Sequence, residues 1–395
     1  MKKRAEIRSR WNAVRVLGGI ALAVALAFIF AKTDLPALAW GISARILNYA
    51  YNDITHNNSE GLFNQIIGIG IIIGAIFAAW RIRAMNRQAA AAEGGHRDGR
   101  FEKGAEMMSA DVLTARIGGI AALDRLAKEY PSEYHVQCNK MLCAFVRYRF
   151  ADEESGQNPV DETRKCRPDI EIATQIIALR KMTGKNIIEK TEKIHNYIIN
   201  LSGANLFEAY LRYSDFSKSN LINVQFGSAD LSFSNIFDAW LTNSKFNGAI
   251  LFDVDFSYAR LIRTDLKKAN MESAKLLNAS LHDANLNGAN LASATLFNAK
   301  FMRSNLKGAR LDGANLCGAE LLFSDLTAAS LNEADFRGIE LSEVDLSGTI
   351  MRNVRNLDQA ELDKCFIKKG MNEPDLEDSK CAKSGRPLEW RGPSR

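Results

Sequence analysis

The chain has few of the side chains that perform chemistry. Its five histidines, His56, His96, His135, His195 and His282, are scattered, so no pair or trio stands at a metal-holding spacing. The six cysteines, Cys138, Cys143, Cys166, Cys317, Cys365 and Cys381, show no framework spacing. That excludes a disulfide-stapled scaffold and fits free thiols in a reducing compartment. Cys138 and Cys143 stand five apart, on different sides of a helix, and read as buried structural thiols instead of a zinc knuckle. Gly184-Lys185 lacks the upstream glycine and the following Ser or Thr of a phosphate loop. Asp253 and Asp255 flank an inward Val254 and read as solvated surface, not an acid/base dyad. No catalytic, cofactor-binding or metal site is expected, and no small-molecule substrate.

What the chain has in abundance is a repeat. From Leu201, a step of five residues lands on Leu, Phe, Ile or Met at every position through Met351. Two residues before each comes a small or β-branched side chain, such as Ala204, Ala209, Ser214, Ala284 or Val344, and Asn or Asp often fills the slot between. A period of five cannot be an amphipathic helix, because it smears the apolar position around the axis. It cannot be a flat strand either, since an odd step throws successive leucines onto opposite faces.

Both conflicts vanish if each pentad is one side of a square coil, with large and small residues both pointing inward. Gly203, Asn223, Gly248, Asn278, Gly288 and Gly308 recur two residues after the central position, where a corner needs them. Four pentads make a 20-residue coil, and like then stacks on like: Leu206, Phe226, Phe246, Leu266, Leu286, Leu306, Leu326 and Leu346 form one column. Coils spaced by about 4.8 Å make a rod of just under eight turns, roughly 38 Å long.

Ala204-Asn205-Leu206, Ala284-Asn285-Leu286, Ala289-Asn290-Leu291 and Ala314-Asn315-Leu316 resemble the pentapeptide-repeat consensus, A-(D/N)-L-x-x. The resemblance implies a right-handed, four-sided β-helix, a β-solenoid. It implies little about function.

At 395 residues and 47% apolar content, the chain is long enough for two or three domains and is not a disordered protein. Its net charge of +5 is uneven. Residues 1–100 hold 13 Lys/Arg against 6 Asp/Glu, whereas the solenoid, 200–356, holds 15 against 17. Residues 16–31 and 62–80 are apolar runs of about membrane-spanning length. A removed signal peptide is the alternative for the first, but no small-residue cleavage site follows cleanly. Lys2, Lys3, Arg4, Arg8, Arg10 and Arg15 precede the first run, and Arg81, Arg83 and Arg87 follow the second. The loop between holds only Lys32 and Arg45. The positive-inside rule then predicts a bacterial inner-membrane protein with two transmembrane helices and both termini in the cytoplasm, Trp11, Trp40 and Trp80 sitting at the interfaces. Gly70, Gly74 and Ala78 lie four apart on one helix face, as do Gly19, Ala23, Ala27 and Ala31, and allow close helix packing.

The expected organisation is a basic segment with transmembrane helix 1 over 1–31, an extracytoplasmic loop over 32–61, transmembrane helix 2 over 62–80 and a linker over 81–108. A cytoplasmic helical region follows over 109–200, then the solenoid over 201–351 and a capping helix and tail over 352–395. Within 109–200, helices are predicted from about 109 to 129, 133 to 150 and 169 to 181, the last covering the open first coil. The segment Arg116-Ile117-Gly118-Gly119-Ile120-Ala121-Ala122-Leu123-Asp124-Arg125-Leu126-Ala127 resembles one found in membrane-tethered bacterial pentapeptide-repeat proteins. Its two glycines weaken a helix, so another element is expected to pack closely over them. At the far end, Asp358-Gln359-Ala360-Glu361 reads as a capping box starting a helix that runs to Gly370, with Leu362 and Phe366 closing the last coil.

A filled solenoid has no cleft of its own, which argues against an enzyme. The expectation is a membrane-anchored scaffold that holds a cytoplasmic protein, or a second copy of itself, against the rod. The alternative from resemblance is a DNA mimic that regulates a type II topoisomerase. A near-neutral rod interrupted by Lys267, Lys268, Lys275, Arg303, Lys307 and Arg310 suits that reading poorly, and direct nucleic-acid binding lacks the basic patch it needs. The predicted contact surface comes from the residues just after each central one, which must point out. Ile222, Ile262, Met302 and Leu322 fall in one column, and Phe237, Leu277, Phe297 and Cys317 in the next side around, with Trp240 and Phe323 beside them. Either the chain's own helices or tail cover this apolar strip, or a partner does.

Overall fold

The computed structural model describes residues 60–154, 165–180 and 185–393, with side chains over 79–148, 165–180 and 187–393. The chain divides into two compact units, Met1–Gly94 and Gly95–Arg395. The predicted span at 16–31, its loop and the stripe from Gly19 to Ala31 lie outside the described residues. The second predicted span lies on helical backbone whose side chains through residue 78, those around Gly70, Gly74 and Ala78 included, are likewise outside. Among the described residues no helix is long and apolar enough to cross a membrane.

Helix α1 covers Glu60–Met108, so the stretch expected to be a linker is helical. The reason is compositional: Arg, Met, Gln and a run of four alanines at 89–92 are strong helix formers that outweigh Gly94, Gly95, Gly99 and Gly104. Helices α2 (Leu113–Glu129) and α3 (Pro131–Glu154) form the expected hairpin, and α4 (Pro168–Leu179) follows. Helix α5 (Lys185–Ile194) had no counterpart in the sequence reading. The last turns of α1 do pack over the glycine pair. A Cβ on Gly119 would come within 2.6 Å of the Gly104 carbonyl oxygen, and one on Gly118 within 2.8 Å of Met107 Cε. Beneath them Arg116 and Asp169 form a buried ion pair at 2.5 Å, and Arg116 also donates to the carbonyls of Ala110 and Asp111.

From residue 200 onward the pentads coil as four sides of five residues each, and every coil pairs in parallel with the next. The pairing residue is the one before each central side chain: Asn200 with Asn220, Asn205 with Gln225, Tyr210 with Asp230, and so on to Asp335 with Arg355. These are isolated bridges, one per side. Side one is built around Leu201, Leu221 and their successors, side two around Leu206, side three around Leu211 and side four around Phe216.

A pentad with Asn or Asp before its central residue satisfies all five of its backbone donors. Leu201 donates to Asn220 O at 2.9 Å and Gly203 to Ile222 O at 2.9 Å, both in the next coil, while Gln225 donates back to Ala204 O at 2.9 Å. Ala204 closes the corner onto Leu201 O at 3.0 Å. The fifth donor, just after the central residue, is taken by the Asn or Asp side chain two positions earlier: Phe207 N–H donates to Asn205 Oδ1 at 3.0 Å, Ser232 to Asp230 at 3.0 Å and Thr327 to Asp325 at 2.9 Å. That is why the consensus wants Asn or Asp there.

The corner is a type II turn with positive φ at its third residue, filled by Gly, Asn, Asp or Ser at many corners and by charged or aromatic residues at others. Inside, the central and small residues are both buried throughout. The Phe226 and Phe246 rings stack at 4.9 Å in the predicted column. Where Ser or Thr replaces the inward Ala, its hydroxyl donates to the central carbonyl of the coil before: Ser304 to Leu281 O and Ser324 to Phe301 O, each at 2.6 Å.

Both ends are closed, each in its own way. Ahead of the first coil, α4 and its flanks stand in for a missing turn. Cys166 N–H donates to Phe207 O, Asp215 N–H to Ala178 O, Tyr210 N–H to Glu171 Oε1, and Gln175 Nε2 to Tyr210 O. At the other end the expected long helix is a single turn, α6 (Gln359–Leu362), capped by Asp358. Beyond it the chain returns to extended pairing, Asp345 with Phe366 and Ile350 with Asp375. The edge N–H groups of Leu346 and Met351 need carbonyl acceptors in register, and they find them at Phe366 O (2.9 Å) and Asp375 O (2.7 Å). A continued helix would hide those carbonyls in its own hydrogen bonds. Leu362 is buried as predicted, but Cys365 and Ile367, not Phe366, fill the core beside it.

Candidate functional site

The rod's interior is filled by its own side chains, so its outward side chains are the place to look. Central and small residues consume the two inward positions of each pentad, which leaves three facing out. The predicted strip is bare among the described residues. Phe297 is 41% exposed, Phe323 58% and Trp240 40%, and Ile222, Ile262, Met302, Leu322, Phe237 and Leu277 are half-buried among their neighbours. The helices sit on the end of the first coil, not along this strip, so the reading that they cover it fails for the described residues. Phe237 leans on Tyr258 with ring centroids 5.3 Å apart. Cys317 departs from expectation: it is buried, and burial beside Asp335 pushes its thiol up.

A second exposed cluster escaped the sequence reading. On side three, Tyr213 and Phe233 stack at 5.2 Å, Phe252 meets Phe233 edge-on at 5.4 Å, and the Arg212 guanidinium lies over both stacked rings. The available signal was at the corners. Tyr213, Phe233, Tyr258 and Phe323 all occupy the positive-φ position that suits Gly or Asn. A bulky aromatic ring there is an uncommon choice, and four of them mark the rod's aromatic surface.

The helical cap holds a dense polar network. His135 Nε2 and Arg180 Nε both meet Glu192 Oε1, at 3.1 and 2.7 Å, and Arg180 Nη1 reaches Asp215 O on the first coil at 2.9 Å. Burial works to raise the Glu192 carboxyl, but His135 and Arg180 outweigh it and hold the group below its ordinary value. Each member is buried and engaged, so the network fastens α3, α4 and α5 to the rod. Beside it a cavity of about 640 Å³ opens among α2 to α5, walled by Ala127, Leu142, Ile172, Ile176 and Ile188.

Among the described residues no group of three or more His, Cys, Asp or Glu could hold a metal. All six cysteines are free and buried, and burial pushes the Cys138 thiol up to about 12. Asp253 faces Lys275 at 3.5 Å, while Asp255 caps Ser257 N–H at 2.9 Å, so the two carboxylates do separate surface tasks.

The family model described as pentapeptide repeats matches residues 199–366 in eight copies. Among solved structures, HetL, a pentapeptide repeat protein involved in heterocyst differentiation regulation from the cyanobacterium Nostoc, is 26% identical over 48% of this chain and 92% of its own, with a TM-score of 0.24. A trypsin-treated variant of QnrB1, a plasmid-mediated fluoroquinolone resistance protein, is 17% identical over 50% of this chain and 91% of its own, with a TM-score of 0.38. Rfr23, from the cyanobacterium Cyanothece, is 22% identical over 41% and 95%, with a TM-score of 0.18. No curated protein matches the chain.

Proposed function

We propose, from the premise that residues 199–366 are pentapeptide repeats folded as a β-helix, that the chain is a membrane-anchored, non-enzymatic scaffold whose rod docks a protein partner. The observation that carries this reading is the exposed strip with Phe237, Leu277, Phe297 and Trp240 on a rod whose core is already filled. Aromatic side chains on a rigid, preformed surface are the usual anchors of a protein interface. Support for the anchor comes from the two apolar runs at 16–31 and 62–80 and from the lopsided Lys/Arg count around the loop between them. Both termini then face the cytoplasm of a bacterial cell, at its inner membrane, and the partner is a cytoplasmic protein or a second copy.

A topoisomerase regulator that imitates DNA is the second reading. It needs dense negative charge, and a rod with 15 Lys/Arg against 17 Asp/Glu offers little. Protection of gyrase from its inhibitors by this protein would restore it.

The scaffold reading is tested in membranes that contain the full chain. Phe237→Glu with Phe297→Glu should abolish self-association or the capture of a crosslinked partner while leaving the melting temperature in place. A large drop in melting instead makes the strip an internal seat, and no effect on either removes it as a contact surface. Reporter fusions placed after residue 100 test the topology: activity confined to the periplasm overturns it.

A further inference from the structure

The strip divides by charge. On side four the neighbours of Leu277 and Phe297 carry a single charge, Lys275, beside the uncharged Asn278, Thr295 and Asn298. On side one, Ile262 sits between Arg260 and Arg263, and Met302 between Lys300 and Arg303. The adjoining side two adds Lys245, Lys267, Lys268 and Lys307 at the same level of the rod. Over those four coils the two sides carry only two acids, Asp265 and Asp283.

The other two sides are the reverse. In the same coils they carry Asp253, Asp255, Glu272 and Asp312 against Lys275 and Arg310. These four coils are therefore polarised across their width, which no count along the sequence reveals, because the period of 20 scatters each side through the chain. Two cations of side one have ion-pair partners, Lys300 with Glu320 at 3.0 Å and Arg303 with Asp283 at 2.8 Å. Such exposed pairs exchange readily with solvent and with other anions.

We propose that sides one and two of these coils form a membrane-contact face that takes anionic lipid headgroups. Trp240, Ile262 and Met302 enter the interface, and the flanking Arg and Lys side chains lie among the headgroups. Three features favour a lipid surface over a nucleic acid. Apolar and cationic side chains alternate along side one, as they do on interfacial helices. The exposed Trp suits the boundary between headgroup and acyl chain. Sides three and four of the same coils are net acidic and would be repelled by the same surface, so these coils have one preferred orientation. The inference depends on the anchored reading only in that a bilayer lies within reach.

The test places a photoreactive amino acid at position 262, or at position 272 on the opposite side of the same coil, in the full-length protein. Each is reconstituted into phosphatidylcholine vesicles with or without about one third phosphatidylglycerol. Position 262 should form lipid adducts at least about fivefold more often than 272 in the anionic vesicles, and the excess should disappear in about 0.5 M salt and in Arg260→Glu with Arg263→Glu. Equal labelling at the two positions, the same yield without anionic lipid, or adducts at 262 mainly to protein would each overturn the proposal. So would duplex DNA that displaces lipid from 262 at micromolar concentration. Carbonate extraction of the same samples reads the anchor separately. Protein stripped by carbonate that still labels lipid from 262 at neutral pH refutes the anchor and keeps the face.

Discussion

The Ser244 hydroxyl donates to the Leu221 carbonyl oxygen at 2.6 Å, across the rod's interior from one coil to the one before. Ser214 occupies the same kind of position in the first coil, where no earlier coil supplies an acceptor, and its buried hydroxyl has no partner. The two serines should therefore respond oppositely to the same substitution. Ser244→Ala should cost about 1 kcal/mol, the net worth of a buried hydrogen bond, whereas Ser214→Ala should be neutral or stabilise by up to ~1 kcal/mol. Melting both variants beside the parent checks this, and equal losses would contradict the assignment.

Leu266 is fully buried in the side-two column and its neighbour Lys267 is exposed. Truncating Leu266 to Ala leaves a cavity that closed coils cannot collapse, so the expected cost is about 2–5 kcal/mol. Lys267→Ala should change stability by no more than ~0.5 kcal/mol. Denaturant midpoints that move equally would show that the five-residue register has been placed wrongly.

Two helical glycines separate propensity from packing. Gly99 has nothing within 4 Å of where a Cβ would sit, so Gly99→Ala should raise helicity and stabilise by up to ~1 kcal/mol. A Cβ on Gly119 would meet the Gly104 carbonyl oxygen and the Met108 amide nitrogen at 2.6 and 2.7 Å, both backbone atoms that cannot swing aside. Gly119→Ala should push α1 off α2 and lower the thermal transition of the helical cap, despite the gain in propensity. Circular dichroism at 222 nm during melting reads both.

The Arg116–Asp169 pair carries a pH dependence. Burial alone would raise the Asp169 carboxyl, but hydrogen bonds from Arg116 and Arg167 hold it below its ordinary 3.8. A carboxylate depressed in the folded state stabilises above its unfolded value and loses that contribution as the pH falls through the folded one. Near neutral pH, Asp169→Asn should cost roughly 3–5 kcal/mol, because it leaves a buried guanidinium unpaired. The gap between parent and variant should narrow as the pH is lowered past 3.8. A gap of constant size would mean that the pair contributes shape and not charge.

The columns of Leu206 to Leu346 were readable because a period of five leaves the inward residues no other geometry. The Asn or Asp before them was equally visible, but its task was not: the donor it satisfies emerges only after the other four N–H groups of the pentad have found partners. Asp358 and Glu361 were read as opening a long helix, since a capping box is a local signal. What stops that helix after one turn is the pairing demand of Leu346 and Met351, which lie 24 and 19 residues before Gly370, where the helix would end. Helix α5 escaped because it is only 10 residues long, although its isoleucines are spaced as on one helix face. The aromatic surface was half legible. The residues after each central position were counted, while Tyr213 and Phe233 stand one place further on, where the corner's left-handed backbone usually favours smaller residues.

The pairing of each residue with the one 20 positions later constrains how this chain can change length. Removing or adding a whole coil in the middle of the rod shortens or lengthens it and leaves every downstream side facing as before. A single pentad preserves the core pattern just as well, yet it turns everything beyond it through a quarter revolution. A five-residue deletion near residue 285 would swing Phe297, Met302 and Phe323 away from the line of Phe237 and Ile262, in a rod whose core remained filled. Gains and losses of coils are thus neutral to the surface, whereas gains and losses of sides rewrite it.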